Sequence, residues 1–224
     1  TLTGDVTYDE SSGNTTYGSE VINEGNYEGT GGLIGMPYGA LENLKVSGLH
    51  VKGYTYVGGV SGRINENTNQ NIQVGDENLT TADGAKVPFG VFVEGRTYIS
   101  GVASRGTSGG YSTTVNYFKN VKVQNVRISA SNDGAYGIGA VCQVEDSEVS
   151  GCDIYAATSH AAGVVRDWNT VYRTTVKDTK ISSGNNVGGI GTYGLSAVDC
   201  TVSGCTITGN KYVGGVLGLS YNST

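Results

Sequence analysis

The chain has 224 residues, enough for one large domain or two small ones, and its net charge of −6 comes without any run of Lys or Arg, so nucleic-acid binding has no electrostatic footprint. Gly contributes 37 residues against 2 Pro, with no G-X-Y triplet, which excludes collagen and argues against a Pro-rich disordered tail. No apolar stretch approaches the roughly 18 residues of a membrane span, and no signal peptide is present, Thr1 reading as the start of a processed or trimmed chain.

Tyr (15) far outnumbers Phe (3) and Trp (1), and only 15% of residues are charged. Such a surface draws its polarity from hydroxyls and amides, as in many extracellular β-rich proteins. The chain begins TLTG, which matches TITG at 206–209, the close of a repeat. The polar segment Asp5–Glu28 is expected to fold over the first repeat as a cap, so residues 1–28 are set apart from a repeat domain at 29–224.

From residue 30 onward one pattern recurs: TGGLIG (30–35), VGGVSG (57–62), ISGVAS (99–104), AYGIGA (135–140), AAGVVR (161–166), VGGIGT (187–192) and VGGVLG (213–218). The shared glycines are Gly32, Gly59, Gly101, Gly137, Gly163, Gly189 and Gly215, and the last three steps are all 26 residues. Longer earlier steps imply insertions at about Asn65–Lys86 and Thr107–Asn116. The residue after each glycine is aliphatic, and two positions before it the chain is mostly apolar. Apolar positions three apart face one side only if the chain bends between them.

A second register follows each glycine by about 13 residues: VSGLHV (46–51), VQNVRI (123–128), VSGCDI (149–154), VKDTKI (176–181) and VSGCTI (202–207). Its third position is Gly48, Asn125, Gly151, Asp178 or Gly204, residues that tolerate a left-handed backbone, so it predicts a tight turn between two short strands. Only the unit after Gly59 lacks a clean copy. Short strands with turn glycines at this period predict an all-β fold, a right-handed parallel β-helix (solenoid) of about six to seven coils, stacked at about 4.8 Å. In the GxGxxG formed by Gly189, Gly191 and Gly194, Gly189 belongs to the column of shared glycines and the other two are incidental; the strand-like LSAVDCTVSGCTITG after it does not supply the helix that a dinucleotide loop requires.

The VGGxxG unit followed by VSGCTITG resembles the GLUG-motif repeats of bacterial surface and secreted proteins, over about Gly29–Ser220 apart from the two insertions. Tyr136 and Ala162 depart from the glycine pair of that motif. The resemblance implies an extracellular or cell-surface β-solenoid within a larger, often adhesive, repeat protein, and it supplies no catalytic residues.

Four places could carry chemistry. Arg166-Asp167-Trp168-Asn169, with Tyr172 and Arg173, departs most from the repeat and combines an aromatic, a guanidinium and a carboxylate suited to a sugar or peptide; the plainer reading is a loop whose Trp tucks against its neighbour. Tyr56, Tyr98, His160 and Tyr212 share one position, either as a platform for sugar rings or as stacking for stability. Arg63 and Arg105 share another and either bind acidic sugars or solubilise the surface. Glu145, Asp146 and Glu148 cluster, but Asp146 falls in a turn column with Asn43, Asn120, Arg173 and Asp199. Cys142, Cys152, Cys200 and Cys205 read as free thiols; Cys152 and Cys205 lie two units apart, beyond disulfide reach, and no CxxC or nearby histidine pair suits zinc. The sequence thus points to a non-enzymatic bacterial surface module for adhesion or glycan and host-protein binding, or a stalk, without metal or cofactor. A carbohydrate-active enzyme, a polysaccharide lyase or hydrolase, is the rival.

Overall fold

The computed structural model describes residues 1–9, 11–12, 14–26, 28–64, 68–106, 116–167, 170–193 and 196–220; at 105, 106, 167 and 193 the description stops at the backbone. The described residues form strands, turns and bends, with no helix among them. Among the described residues the strands pair in parallel except for one hairpin, Val6–Asp9 with Asn14–Tyr17, and an isolated antiparallel bridge joins Thr80 to Lys86. A ten-stranded sheet runs from Leu2–Thr3 to Ser196–Val198, a twelve-stranded sheet from Ser19–Ile22 to Thr206–Thr208, and a smaller sheet joins Val165–Asp167, Gly191–Tyr193 and Leu217–Leu219. One apolar cluster draws on all of them.

The pairing follows the sequence repeat. Val149 lies opposite Val176 and Val176 opposite Val202; Ile128, Ile154, Ile181 and Ile207 form another continuous row. β-branched residues at these positions fit the pleated backbone and stack on their own kind.

Three columns of left-handed corners recur along the repeat, and every non-glycine residue with positive φ among the described residues falls in one of them. The first is Asn43, Asn71, Asn120, Asp146, Arg173 and Asp199, with φ from 42° to 55°. The second is Gly48, Gly75, Asn125, Gly151, Asp178 and Gly204. The third is Gly29, Tyr56, Tyr98, Gly134, His160, Asn186 and Tyr212. Gly, Asn and Asp reach this region cheaply, and Asn side chains also bond along the first column, Asn71 Nδ2 to Asn43 Oδ1 at 2.9 Å and Asn120 Nδ2 to Asn71 Oδ1 at 2.8 Å. Tyr and His there are more strained, so packing must hold them.

The shared glycines have a separate cause. The first six donate their amides to the next unit, among them Gly32 to Gly58 O at 3.2 Å, Gly59 to Ser100 O at 3.2 Å, Gly163 to Gly188 O at 3.2 Å and Gly189 to Gly214 O at 3.3 Å. A Cβ on Gly32, Gly59, Gly101, Gly137, Gly163 or Gly189 would come closer than 3.0 Å to the carbonyl oxygen of the next shared glycine. The column is therefore glycine because backbone meets backbone there. The bend turns both flanking residues inward, as the spacing predicts: Val57 and Val60, Ile99 and Val102, Ala135 and Ile138, Ala161 and Val164, and Val187 and Ile190 are all 0% exposed.

Two sequence expectations change. Thr68–Gly75 is a full strand, with Val74 opposite both Val46 and Val123 and Gly75 at φ 78°, so the unit after Gly59 does have its corner. The excursion falls instead between Gly75 and Gly90, and the pattern looked broken because the two halves of the motif sit on either side of it. TLTG aligns with KVSG (45–48), Leu2 lying opposite Val46, rather than with TITG at 206–209. Within Asp5–Glu28, Ser19–Ile22 joins the twelve-stranded sheet, and Tyr17 Oη at the end of the hairpin donates to Phe89 O at 3.0 Å. The second proposed insertion, 107–116, lies outside the described residues except for Asn116.

Replacing Gly163 by Ala should destabilise the chain by at least about 2 kcal/mol, because the buried backbone must separate to admit the methyl. Gly39→Ala, where a Cβ meets nothing within 4 Å, should stay within about 0.5 kcal/mol. Urea unfolding of the two variants measures both.

Candidate functional site

Strand alternation sets the outer face of the twelve-stranded sheet. Between inward Val21, Val51, Val93, Ile128, Ile154 and Ile181, one outward row runs Glu20, His50, Phe92, Arg127, Asp153, Lys180. A second outward row includes Lys52, Glu94, Ser129, Tyr155 and Ser182. Cross-strand neighbours in such rows are close enough to interact directly. The His50 ring stacks on Phe92, centroids 5.0 Å apart and planes within 5°. Its Nδ1 and Nε2 lie 3.2 Å from Glu20 and Glu94 carboxylate oxygens. On the other side, the Arg127 guanidinium sits 5.6 Å from the Phe92 centroid and its Nε is 4.0 Å from Asp153.

Beyond Arg127 the surface dips into an open depression of about 180 Å³, lined by Arg127, Ser129, Asp153, Tyr155, Lys180 and Ser182. Tyr155 is 45% exposed, a large ring presented to solvent beside two cations, a carboxylate and two hydroxyls. The hairpin closes the other end of the row: Tyr17 lies 6.0 Å from His50, and burial pushes its hydroxyl pKa up against the opposing pull of Arg127.

The residues singled out in the sequence are placed differently. Tyr56 and Tyr98 stack at 5.4 Å, the Arg63 guanidinium covers Tyr56 at 4.6 Å, and Arg166 covers Tyr98 at 5.2 Å while donating Nη1 to its hydroxyl at 2.9 Å. Arg63 also pairs with Glu28. Tyr56 is only 8% exposed, so this seam brings four candidates together as packing for a strained corner, and a sugar ring finds no open aromatic face on Tyr56. His160 and Tyr212 belong to the same corner column, separated by Asn186. Arg105 lies opposite Arg63 in the strand pairing, as expected. Tyr172 lies apart from the seam, opposite Glu145 in the ten-stranded sheet. Asp167 pairs with Tyr193 along the backbone, and Trp168 and Asn169 lie outside the described residues.

The acidic cluster is turn chemistry. Asp146 has φ 50°, its Oδ1 accepts from Arg173 Nε at 2.7 Å, and Arg173 also holds Glu145, with Lys119 Nζ 3.7 Å and 3.6 Å from Glu145 and Asp146. The hydrogen bond from Arg173 keeps the Asp146 carboxyl below the ordinary range. At Glu148 burial raises the pKa, but bonds from Ser150, Lys177 and Gln124 outweigh it. Carboxylates held ionised in this way are poor general acids.

The cysteines are free, and three of them serve as hydroxyl analogues. In the residue after a left-handed corner, Ser147, Thr174 and Thr179 each donate to the carbonyl two residues back at 2.8 Å. Cys152, Cys200 and Cys205 make the same contact at 3.2, 3.4 and 3.2 Å. Thr179 stands between Cys152 and Cys205, its Oγ1 accepting from Cys152 N at 3.3 Å, which keeps the two thiols apart.

Sequence reading missed the outward row, although its signal was present. In the second register His50, Arg127, Asp153, Lys180 and Thr206 occupy the position before the last aliphatic, and reading down that column gives the row. Among the described residues no helix is long and apolar enough to cross a membrane. Comparison with known proteins adds no relative: no family model, no curated protein and no solved structure matches the chain.

Two predictions follow the local chemistry. Burial pushes the Cys152 thiol up to about 12 and raises Cys142 further, while Cys200 and Cys205 are part exposed. A disulfide reagent should titrate two thiols in native protein and the other two only after denaturant is added. Asp146, with a depressed folded pKa, stabilises the fold above the ordinary carboxylate pKa, and that contribution disappears as pH falls through the depressed value. Arg173→Ala should therefore lower the urea midpoint at pH 6 more than at pH 2.

Proposed function

We propose that the repeat units wind as a right-handed parallel β-helix of the GLUG-repeat kind, with about six to seven coils, and that the chain works as an extracellular bacterial surface module binding a glycan on its outward row. The parallel pairing at the sequence period and the three recurring corners support the architecture. The paired VGGxxG and VSGCTITG motifs support the family reading.

The observation that carries the binding role is the depression beside Tyr155. A pyranose has an apolar face that packs on an aromatic ring and a rim of hydroxyls that need both donors and acceptors. Tyr155 supplies the ring, Asp153 the acceptor, Arg127 and Lys180 the donors, and Ser129 and Ser182 groups of either kind. At about 180 Å³ the depression is below the roughly 300 Å³ at which drug-sized pockets begin. It suits one ring of a longer chain lying along the row, and host surface glycans present such chains.

Native electrophoresis through gels cast with a panel of polysaccharides and mucin tests this. Retarded mobility that Tyr155→Ala and Arg127→Ala both reduce by at least about tenfold in apparent affinity, some 1.4 kcal/mol, is the expected result. Retardation indifferent to both substitutions would remove the depression from the account. A cleared zone in the stained polysaccharide would make the chain a carbohydrate-active enzyme, and unchanged mobility across the panel would leave a stalk or protein adhesin.

A further inference from the structure

We propose that the depression beside Tyr155 selects an acidic sugar, a ring carrying one negatively charged oxygen group, and that the Lys180 ammonium is what recognises the charge. The inference rests on the glycan reading above and narrows its ligand class.

Six side chains form a grid at this place. Strand pairing sets Arg127, Asp153 and Lys180 side by side in one outward row, and Ser129, Tyr155 and Ser182 side by side in the next. Neighbours within a row are about 4.8 Å apart. The following strand extends the two rows with Thr206 and Thr208. Lys180 therefore has a carboxylate on one side, and on its other sides Ser182 and Thr206 offer only hydroxyls.

The positive charge of Lys180 is left without a partner. Lys45, Lys52, Lys119 and Lys177 each lie 2.8–3.7 Å from a carboxylate oxygen. Lys180 forms no ion pair among the described residues, although Asp153 is directly opposite it in the strand pairing. Arg127 reaches Asp153 only at 4.0 Å, beyond hydrogen-bond distance. The Asp153 side chain is 23% exposed and that of Arg127 is 55% exposed, while Lys180 is exposed as well. The carboxylate thus sits low between two cations that stand in water, and an incoming ligand meets the cations first. This happens in a chain whose net charge is −6.

A neutral pyranose on Tyr155 would use the ring, Asp153 and the hydroxyls and leave the Lys180 ammonium to water. A carboxylate or sulfate ester on the same ring, turned toward Lys180, accepts from the ammonium and from the Ser182 and Thr206 hydroxyls. Bonds with an ionised partner are roughly twice as strong as neutral ones. Asp153 remains for the ring hydroxyls, and its own charge disfavours a second anionic group on the sugar.

Calorimetric titration of the purified chain with polygalacturonate and hyaluronan, each against its carboxyl-reduced form, and with dextran sulfate against dextran, tests the selection. The expected result is binding of the carboxylated or the sulfated polymers at least about tenfold tighter than of their neutral counterparts, and the arm that shows it identifies the anion. Added salt should shrink the difference, because the cations are exposed. Lys180→Gln should bring the charged polymer down to the level of the neutral one without changing the latter, Lys180→Arg should keep the preference, and Tyr155→Ala should weaken both. Lys122→Gln, at an exposed lysine of the ten-stranded sheet, should change neither. Equal binding of charged and neutral forms, weakened by Tyr155→Ala, would overturn the acidic preference and leave the glycan reading standing. A preference that survives Lys180→Gln, or that Lys122→Gln lowers as much, would overturn the role of Lys180. Binding of no polymer, or binding indifferent to Tyr155→Ala, would remove the glycan reading and this inference together.

Discussion

Everything in this chain is organised by a contact between two backbones. At the shared glycines the main chain of one repeat unit touches the main chain of the next without a side chain between them, and the approach is too close for even a methyl group. That contact fixes the spacing of the units and bends the chain so that the residues on both sides of the glycine turn inward. It also delivers an amide to a carbonyl at each step. The apolar cluster is built largely of Val and Ile, whose stiff branched side chains stack on their counterparts in the neighbouring units.

The left-handed corners perform the complementary task of changing direction without breaking the pairing. Where glycine, asparagine or aspartate occupies them the backbone turns cheaply, and an asparagine side chain adds a bond to the next unit. Where tyrosine occupies them the turn costs more, of order 1 kcal/mol or above, and Tyr56 and Tyr98 recover it by stacking on each other beneath arginines. The same aromatic residues that suggest a ligand platform are thus consumed by the fold. The binding chemistry proposed for this chain lies on the outward rows instead, where side chains carry no structural duty toward the core and the sequence is free to place Phe92, Arg127, Asp153 and Lys180 in one row and Tyr155 in the next.

Much of this is legible in the sequence, because a physical constraint that acts at every unit leaves a column of like residues. The glycine column, the inward pairs around it and two of the corner columns, including Asp146 among turn residues, can all be read from residue types and spacing alone. Two kinds of feature cannot. The corner at Gly75 is hidden because an excursion separates Val74-Gly75 from Gly90-Val91, and a pattern search expects the halves to be contiguous. The outward row is hidden for the opposite reason: its residues differ from unit to unit, so no repetition marks them, and only pairing shows that they are neighbours. TLTG is easily misaligned because two short β-branched segments in each unit end in glycine, and four residues do not distinguish them.

The uniformity of the glycine contact also shapes how such a chain can change over generations. A substitution within the column meets the neighbouring backbone and is lost, while a substitution on the outward rows meets water and the side chains beside it in the row. Whole units are a third case. Because each step repeats the same contact and each unit touches only those beside it, a duplicated or deleted unit inherits acceptable neighbours without any retuning of its interior. For this architecture length is the inexpensive variable and the glycine column is the costly one, so descendants are expected to differ first in how many units they have and only later in how those units are joined.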